Sequence, residues 1–482
     1  MATKIIFSFF ALVMAVYGHT QSIFYKTYGG NGFDTGNDVI QMESDSSFYI
    51  AGSSSSSGDA PSKAMLLHVD QHGEFLASYF YGGTRSDIGV RVMHKPGVGF
   101  WIAGYSNSFS EDANFDFYLV KINEQYEVEW QKTYGTSNWE RLHDAILLPD
   151  EGVLLVGEVQ GNGVEGKDAY LVRTNAIGEM EWQETYSGSL NDVAYSCALF
   201  DNESFLVGGS WGVADWNAWL AKFDLDGNVI WSRNDYLTDR VGEIREIRLT
   251  EGRINFYGNW SPLPYAENTQ RKYQGVAHLN NELINNVFEN GTNETHKSFA
   301  MIRTNRFYGV SEENNPDFAG DGIPRAAIFG NEGGGYYIGF SHEVYGNQVN
   351  PERLIRTLDT CILVVGTISD PSYSAGGANV VLLKITEETA SLETVNTNQI
   401  LSIDNFEDTG VLFYPNPTEN TINVQVSHNE VGMYFYIINA QGQKVMEGPF
   451  SQSIELSNLS PGMYVLQIST NLGLRTTRIQ KN

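Results

Sequence analysis

The feature that most restricts the fold is a phrase that returns about every fifty residues. Residues 116–135 read DFYLVKINEQYEVEWQKTYG, 168–187 read DAYLVRTNAIGEMEWQETYS, and 217–233 read NAWLAKFDLDGNVIWSR. Each joins an alternating strand, an Asn or Asp, a turn residue, and then a large apolar residue in a second strand. This is a strand–turn–strand unit, with glycine supplying the positive φ that tight hairpins need. The large-residue slot falls at Phe24, Ala77, Trp130, Trp182, Trp231, Val287 and Ile338, at intervals of 53, 53, 52, 49, 56 and 51. Between the slots runs a strand that reaches a glycine: FYIAG, FWIAG, VLLVG, SFLVG, INFYG, RFYGV and ILVVG.

Units of this length with about four short strands each are the mark of a β-propeller. The expected fold is all-β, a seven-bladed β-propeller over residues 22–388 closed by its own N-terminal strand. The repeat region begins with SIFYKTYGG, which matches the outer strand WQKTYG of later units but lacks the three strands before it. The last unit stops at VVLLKIT, residues 380–386. Residues 22–30 are therefore expected to pair with 379–386, which removes two exposed sheet edges. One large side chain per blade in the slot is expected to wedge between neighbouring sheets.

The phrases YKTYGGNGFDTGNDVIQMESDSSFYIAG and KFDLDGNVIW resemble the tandem propeller repeats of secreted Bacteroidota proteins. They also look like the tryptophan-docking repeats of quinoprotein-type propellers. The likeness covers about residues 22–390 and implies a fold rather than an activity. Quinone dehydrogenases of that kind cover their cofactor with a disulfide of adjacent cysteines, and this chain has only Cys197 and Cys361. Both alternate with apolar strand residues in distant repeats, and are read as buried free thiols.

The two ends carry addresses. MATKIIFSFFALVMAVYGHTQS has one Lys and an apolar run from Ile5 to Val16, the layout of a secretory signal peptide over 1–21. The run is too short to span a bilayer comfortably, no cysteine follows it as a lipid anchor, and no other segment is apolar enough to cross a membrane. After Thr386 the chain is polar and aperiodic, a linker over 389–410. From Val411 short alternating strands return with turn signals about every ten residues, as in a small immunoglobulin-like β-sandwich over 411–482.

That tail contains FYPNP, then NAQGQKV, then LSPGMYVLQI, then a basic end. It resembles the type A C-terminal sorting domain of the type IX secretion system. The matching positions are Tyr414, Pro415, Asn416, Pro417, Gly442, Leu459, Pro461, Gly462, Tyr464 and Lys481. The resemblance implies the type IX machinery as a partner, passage across inner and outer membranes, and a secreted or cell-surface destination.

Chemistry is harder to find. Lys and Arg number 30 against 58 Asp and Glu, a formal charge of −28, which argues against nucleic-acid and anionic-membrane partners. No zinc, nucleophile-elbow or phosphate-loop pattern occurs, and His68 and His72, four apart, flank a strand end where that spacing does not bring side chains together. No cofactor is expected, calcium aside. An acid precedes the inner strand of several units, Asp34, Asp87, Glu140, Asp192 and Asp239, 16 to 19 residues ahead of Gly52, Gly104, Gly157, Gly208 and Gly258. These five could ring a channel mouth and hold Ca²⁺ or a polyhydroxylated ligand, or could cap loop N–H groups. Their recurrence favours caps, because binding sites usually break symmetry. Asp317 and Asp321 in NPDFAGDGIP are a second calcium candidate, against an ordinary polar loop.

The functional expectation is an exported binding or scaffold propeller for glycan or protein ligands, with no catalytic residue assigned. Specificity is expected in the loops at 53–63, 105–115, 261–273 and 342–353. The alternative is an extracellular hydrolase or lyase using carboxylates at the channel mouth. An enzyme should gather an asymmetric cluster of acids, bases and aromatics on one face.

Overall fold

The computed structural model describes residues 23–386 and 411–481 apart from connecting stretches, the longest being 263–270, 314–324, 341–347 and 370–376. Two compact units are present, Met1–Ile400 and Leu401–Asn482.

The first unit is a series of four-stranded antiparallel sheets of the β-propeller kind. The first sheet holds Asp34–Gln41, Phe48–Ser54, Lys63–Val69 and Phe75–Tyr81. The second holds Asp87–Lys95, Gly99–Ser106, Asp116–Ile122 and Val128–Tyr134, and the third Glu140–Leu147, Val153–Gln160, Lys167–Thr174 and Met180–Tyr186. The fourth holds Val193–Asp201, Ser204–Gly212, Trp216–Asp224 and Val229–Arg233. The fifth holds Arg240–Thr250, Arg253–Pro262, Arg271–His278 and Leu283–Phe288, and the sixth Glu294–Arg303, Arg306–Glu313, Arg325–Asn331 and Gly335–Phe340. In the last sheet Gln348–Arg356, Ile362–Ser369 and Ala378–Ile385 are joined by Phe24–Tyr28 from the other end of the unit. The register runs from Phe24 opposite Lys384 to Tyr28 opposite Val380.

The leading strands of these sheets lie side by side, each touching the next, and Gln348–Arg356 touches Asp34–Gln41. Each carries a one-residue bulge, at Asn37, Val90, His143, Tyr195, Arg245, Lys297 and Glu352. A bulge bends and twists its strand, and here it explains the recurring glycine. Gly52 and Gly104 stand opposite the residue before the bulge, and a Cβ on either would lie 1.7 Å from the carbonyl oxygen of Thr35 or Ile88. The register corrects two sequence assignments. In the fourth sheet this place belongs to Gly209 rather than Gly208, and in the sixth to Ser311 rather than Gly309.

The outer strands show how neighbouring sheets are fastened. Trp130 packs on the hairpin glycine Gly178 of the next sheet, Trp182 on Gly227, and Phe24 on Gly73. These glycines have φ of 72, 84 and 78°, so the turn requires them and their bareness admits the ring. A tyrosine completes each contact. Tyr28, Tyr134 and Tyr186 donate their hydroxyls to the carbonyls of Gly73, Gly178 and Gly227 at 2.6, 2.7 and 2.7 Å. Where the slot holds Ala77, the next hairpin carries Tyr126 at φ 65°, and its ring stacks on Tyr79 at 4.2 Å. The aromatic has moved from strand to turn, and the space stays filled. The side chains of Val287 and Ile338 lie outside the described residues. Cys197 and Cys361 are both buried and free.

The second unit has a three-stranded sheet of Val411–Tyr414, Thr421–Val426 and Ser453–Glu455. A four-stranded sheet is ordered Lys444–Pro449, Gly432–Asn439, Gly462–Thr470, Gly473–Lys481. Ile422, Val424 and Ile454 of one sheet share a core with Phe435, Ile437, Leu466, Ile468 and Ile479 of the other. Among the described residues no helix is long and apolar enough to cross a membrane.

Candidate functional site

The leading strands bring one residue per sheet together immediately after the bulge: Asp38, Arg91, Asp144, Ser196, Glu246, Ser298 and Arg353. Five of the seven are acceptors, and each takes a backbone N–H from the following sheet. Asp38 takes Val92, Asp144 takes Cys197, Ser196 takes Ile247, Glu246 takes Phe299, and Ser298 takes Leu354, at 2.7 to 3.1 Å. Arginine has no acceptor to offer. Arg91 instead lies between Asp38 at 3.6 Å and Asp144 at 2.6 Å. Arg353 reaches Asp38 at 3.2 Å and Glu246 at 2.6 Å, and Arg248 adds a further pair to Glu246.

Burial alone would raise the Asp144 carboxyl, but the Arg91 and Arg353 guanidinium groups outweigh it and hold it below its ordinary value. The Arg91 charge is likewise favoured, because Asp144, Asp38 and Glu246 overcome its desolvation. This layer is a buried, internally compensated network, and its members are occupied with one another.

The bulged residues themselves form the second layer. His143 meets Tyr195 edge-on at 5.0 Å, and the Arg245 guanidinium lies over the Tyr195 ring at 3.8 Å. His143 Nε2 is 3.2 Å from Glu158, which also takes Lys167 Nζ at 2.7 Å. Glu243 takes Arg245 Nε at 2.5 Å and Asn259 Nδ2 at 3.0 Å. Lys297 and Glu352 pair at 3.6 Å. Burial would raise the Glu158 carboxyl, yet His143 and Lys167 bring it down to about 2. Burial pushes the His143 imidazole down and the Tyr195 phenol up. Sheets three to five thus contribute a cluster of base, acids, cation and phenol that the first two sheets, with Asn37 and Val90 in the same places, do not repeat.

The acids singled out in the sequence sit elsewhere, turned into the loops between sheets. Asp34 takes the N–H of Gly30 and the hydroxyl of Ser56, both at 2.7 Å. Asp87 takes Gly83 N–H at 2.9 Å together with the Ser106 and Ser108 hydroxyls. Asp192 takes the N–H groups of Gly188 and Gly212. Glu140 takes the N–H and hydroxyl of Thr136 through one oxygen. All four are buried, and burial raises the carboxyls of Asp87 and Asp192. In the fifth sheet the corresponding place, three residues before the bulge, is Gly242, while Asp239 lies outside the described residues, as do Asp317 and Asp321. His68 stacks on Tyr49 at 4.0 Å, whereas His72 is in an exposed turn beside Gln71. Among the described residues no group of three or more His, Cys, Asp or Glu is placed to hold a metal ion.

Residues 412–482 match the family of secretion-system C-terminal sorting domains. The tail is a type IX secretion sorting domain. A sorting domain of this kind sends its protein across the outer membrane to the cell surface or beyond. Within it Tyr414 ends the first strand, Leu459 packs on the core, Pro461 is exposed, and Gly462 pairs with Lys481 across the last hairpin. Tyr464 donates its hydroxyl to Ser460 O at 2.8 Å. Pro415, Asn416, Pro417 and Gly442 lie outside the described residues.

No curated protein matches the chain in sequence. Among solved structures it is similar to the Neurospora crassa Pan2 WD40 domain, at 8% identity over 73% of this chain and 89% of that one, with a TM-score of 0.46. Puromycin hydrolase aligns at 11% identity over 90% and 58% of the two chains, with a TM-score of 0.45. The endosialidase of phage phi92 aligns at 9% over 95% and 87%, with a TM-score of 0.42.

The second layer escaped the sequence reading. Its signal was present, since His143 and Tyr195 follow Glu140 and Asp192 by three residues, as Asn37 and Val90 follow Asp34 and Asp87. The residue type changes in every unit, so no repeated letter marks the place.

Proposed function

We propose that residues 22–388 form a seven-bladed propeller closed by its N-terminal strand, which binds glycans where His143, Glu158, Tyr195, Glu243 and Arg245 converge. A signal peptide at 1–21 begins export, and a linker at 389–410 joins the ring to an immunoglobulin-like sorting sandwich at 411–482. The observation that supports the ligand class is the composition of the bulge layer. An aromatic face backed by a guanidinium, with carboxylates and an amide alongside, suits a ligand offering both C–H faces and many hydroxyls.

The second reading is a carboxylate-dependent hydrolase or lyase at the same place. Glycoside cleavage requires a carboxyl kept protonated near neutrality. Glu158 lies far below that range and Glu243 is engaged by Arg245 and Asn259, which favours binding over cleavage. Purified protein presented to a panel of polysaccharides tests both, scoring retention and released sugar. Retention without products, lost in Tyr195→Ala and Arg245→Ala, is expected. Turnover abolished by Glu158→Gln would establish the hydrolase instead, and no retention by any glycan would refute the ligand class.

A further inference from the structure

The carboxyl groups of Asp116 and Glu140 meet beside Gly135. Glu140 is 1% exposed and Asp116 8%. One oxygen of each, Asp116 Oδ1 and Glu140 Oε2, is buried without a hydrogen-bond partner. Both oxygens point at one place: a Cβ built on Gly135 would lie 2.2 Å from Asp116 Oδ1 and 2.7 Å from Glu140 Oε2. Two buried carboxylates in this arrangement repel each other, and burial together with the neighbouring Asp116 charge pushes the Glu140 carboxyl up to about 7. A proton shared between the two or a positive charge standing there relieves the repulsion.

The preceding junction in the same chain contains that charge. The N–H of Asp87 donates to Ser62 O, that of Glu140 to Phe115 O, and that of Asp192 to Lys167 O. Lys63, Asp116 and Asp168 are therefore equivalent positions in successive sheets. Lys63 sends its ammonium beside Asp87 and onto the carbonyl oxygens of Gly82, at 3.2 Å, and Gly83. At the next junction the lysine is replaced by Asp116, and the counterparts of Gly82 and Gly83 are Gly135 and Thr136. The third junction differs again, because both oxygens of Asp192 take backbone N–H groups and Asp168 is partly exposed.

We propose that Asp116 and Glu140 bind a hard divalent cation of the calcium type, in the place that the Lys63 ammonium takes one sheet earlier. Two carboxylates, with backbone carbonyl oxygens and water to complete the shell, form an oxygen-only donor set, which selects calcium over softer metals. Phe115 and Trp139 immediately precede the two ligands, and their rings meet edge-on at 5.4 Å. The ion ties together the two loops that carry these aromatics.

The test is thermal melting and calorimetric titration of the full chain in EDTA and in millimolar calcium chloride. Calcium is expected to raise Tm by roughly 2–5 °C. Asp116→Lys supplies the charge covalently and is expected to melt in EDTA no lower than the parent, with no further response to calcium. Should that variant fail to fold, Asp116→Asn and Glu140→Gln carry the comparison, each expected to abolish the calcium-induced shift and the binding heat. A parent protein indifferent to calcium overturns the proposal. So does a shift that survives in Asp116→Asn, since the ion would then lie elsewhere on this acidic chain.

Discussion

Arg353 Nε stands 3.2 Å from Asp38 Oδ1, an ion pair between the leading strand of the last sheet and that of the first. Both side chains are largely withdrawn from solvent, so the pair is coupled to the whole buried layer. Arg353→Ala leaves Asp38 and Glu246 under-compensated in a low-dielectric site and is expected to cost about 3–5 kcal/mol. Adding Glu246→Gln to Arg353→Met removes charge on both sides and should recover part of that loss. Denaturant midpoints of the three proteins provide the comparison.

Ala77 and Tyr126 are complementary in size, as the reverse of the Trp130–Gly178 and Trp182–Gly227 pairs. Tyr126→Gly is expected to lose about 3 kcal/mol through the cavity it opens. Ala77→Trp alone overfills the site at a cost of about 1–3 kcal/mol. The double variant Ala77→Trp, Tyr126→Gly restores the arrangement of the neighbouring sheets and should be more stable than either single change. Additive losses in a double-mutant cycle would contradict the exchange.

His68 sets a pH dependence. Burial against Tyr49 pushes its pKa down from 6.5 to about 4, against the opposing charges of Asp45 and Asp70. The unfolded chain binds this proton below 6.5 while the folded chain refuses it until about 4. The contribution is therefore present above pH 6.5 and lost as pH falls from there towards 4. Unfolding in that window should take up as much as about one proton, and His68→Gln should flatten the slope of Tm against pH. An unchanged slope would show that His68 does not titrate in this way.

Export depends on the tail. Deleting residues 411–482 is expected to leave the protein in the periplasm, as read by fractionation and immunoblotting. Normal appearance in the medium or at the cell surface would contradict the sorting role.

Much of the sheet series was readable because its period is written in residues that do the same work each time. Trp130 and Trp182 cover hairpin glycines, and KTYG marks Phe24–Tyr28 as a displaced outer strand, which pairs with Ala378–Ile385. The bulges were not readable, since they depend on register between strands rather than on residue type. The repeat phrase therefore aligns Gly208 where Gly209 stands and Asp239 where Gly242 belongs. The same limit hid His143, Tyr195 and Arg245, which share a backbone position and no chemistry. Asp34, Asp87 and Asp192 are conspicuous for the opposite reason, because capping these loops asks for an acid at the same place in each of those three units.

The pairing of Phe24–Tyr28 with Ala378–Ile385 also orders events in time. A polypeptide made from its N-terminus produces this strand before the other strands of its unit and its ladder partner after them. Until then the strand's N–H and C=O groups are open to proteases and to strangers' edges. A product stalled before Ala378 keeps that raw edge, and one that has added Ala378–Ile385 conceals it.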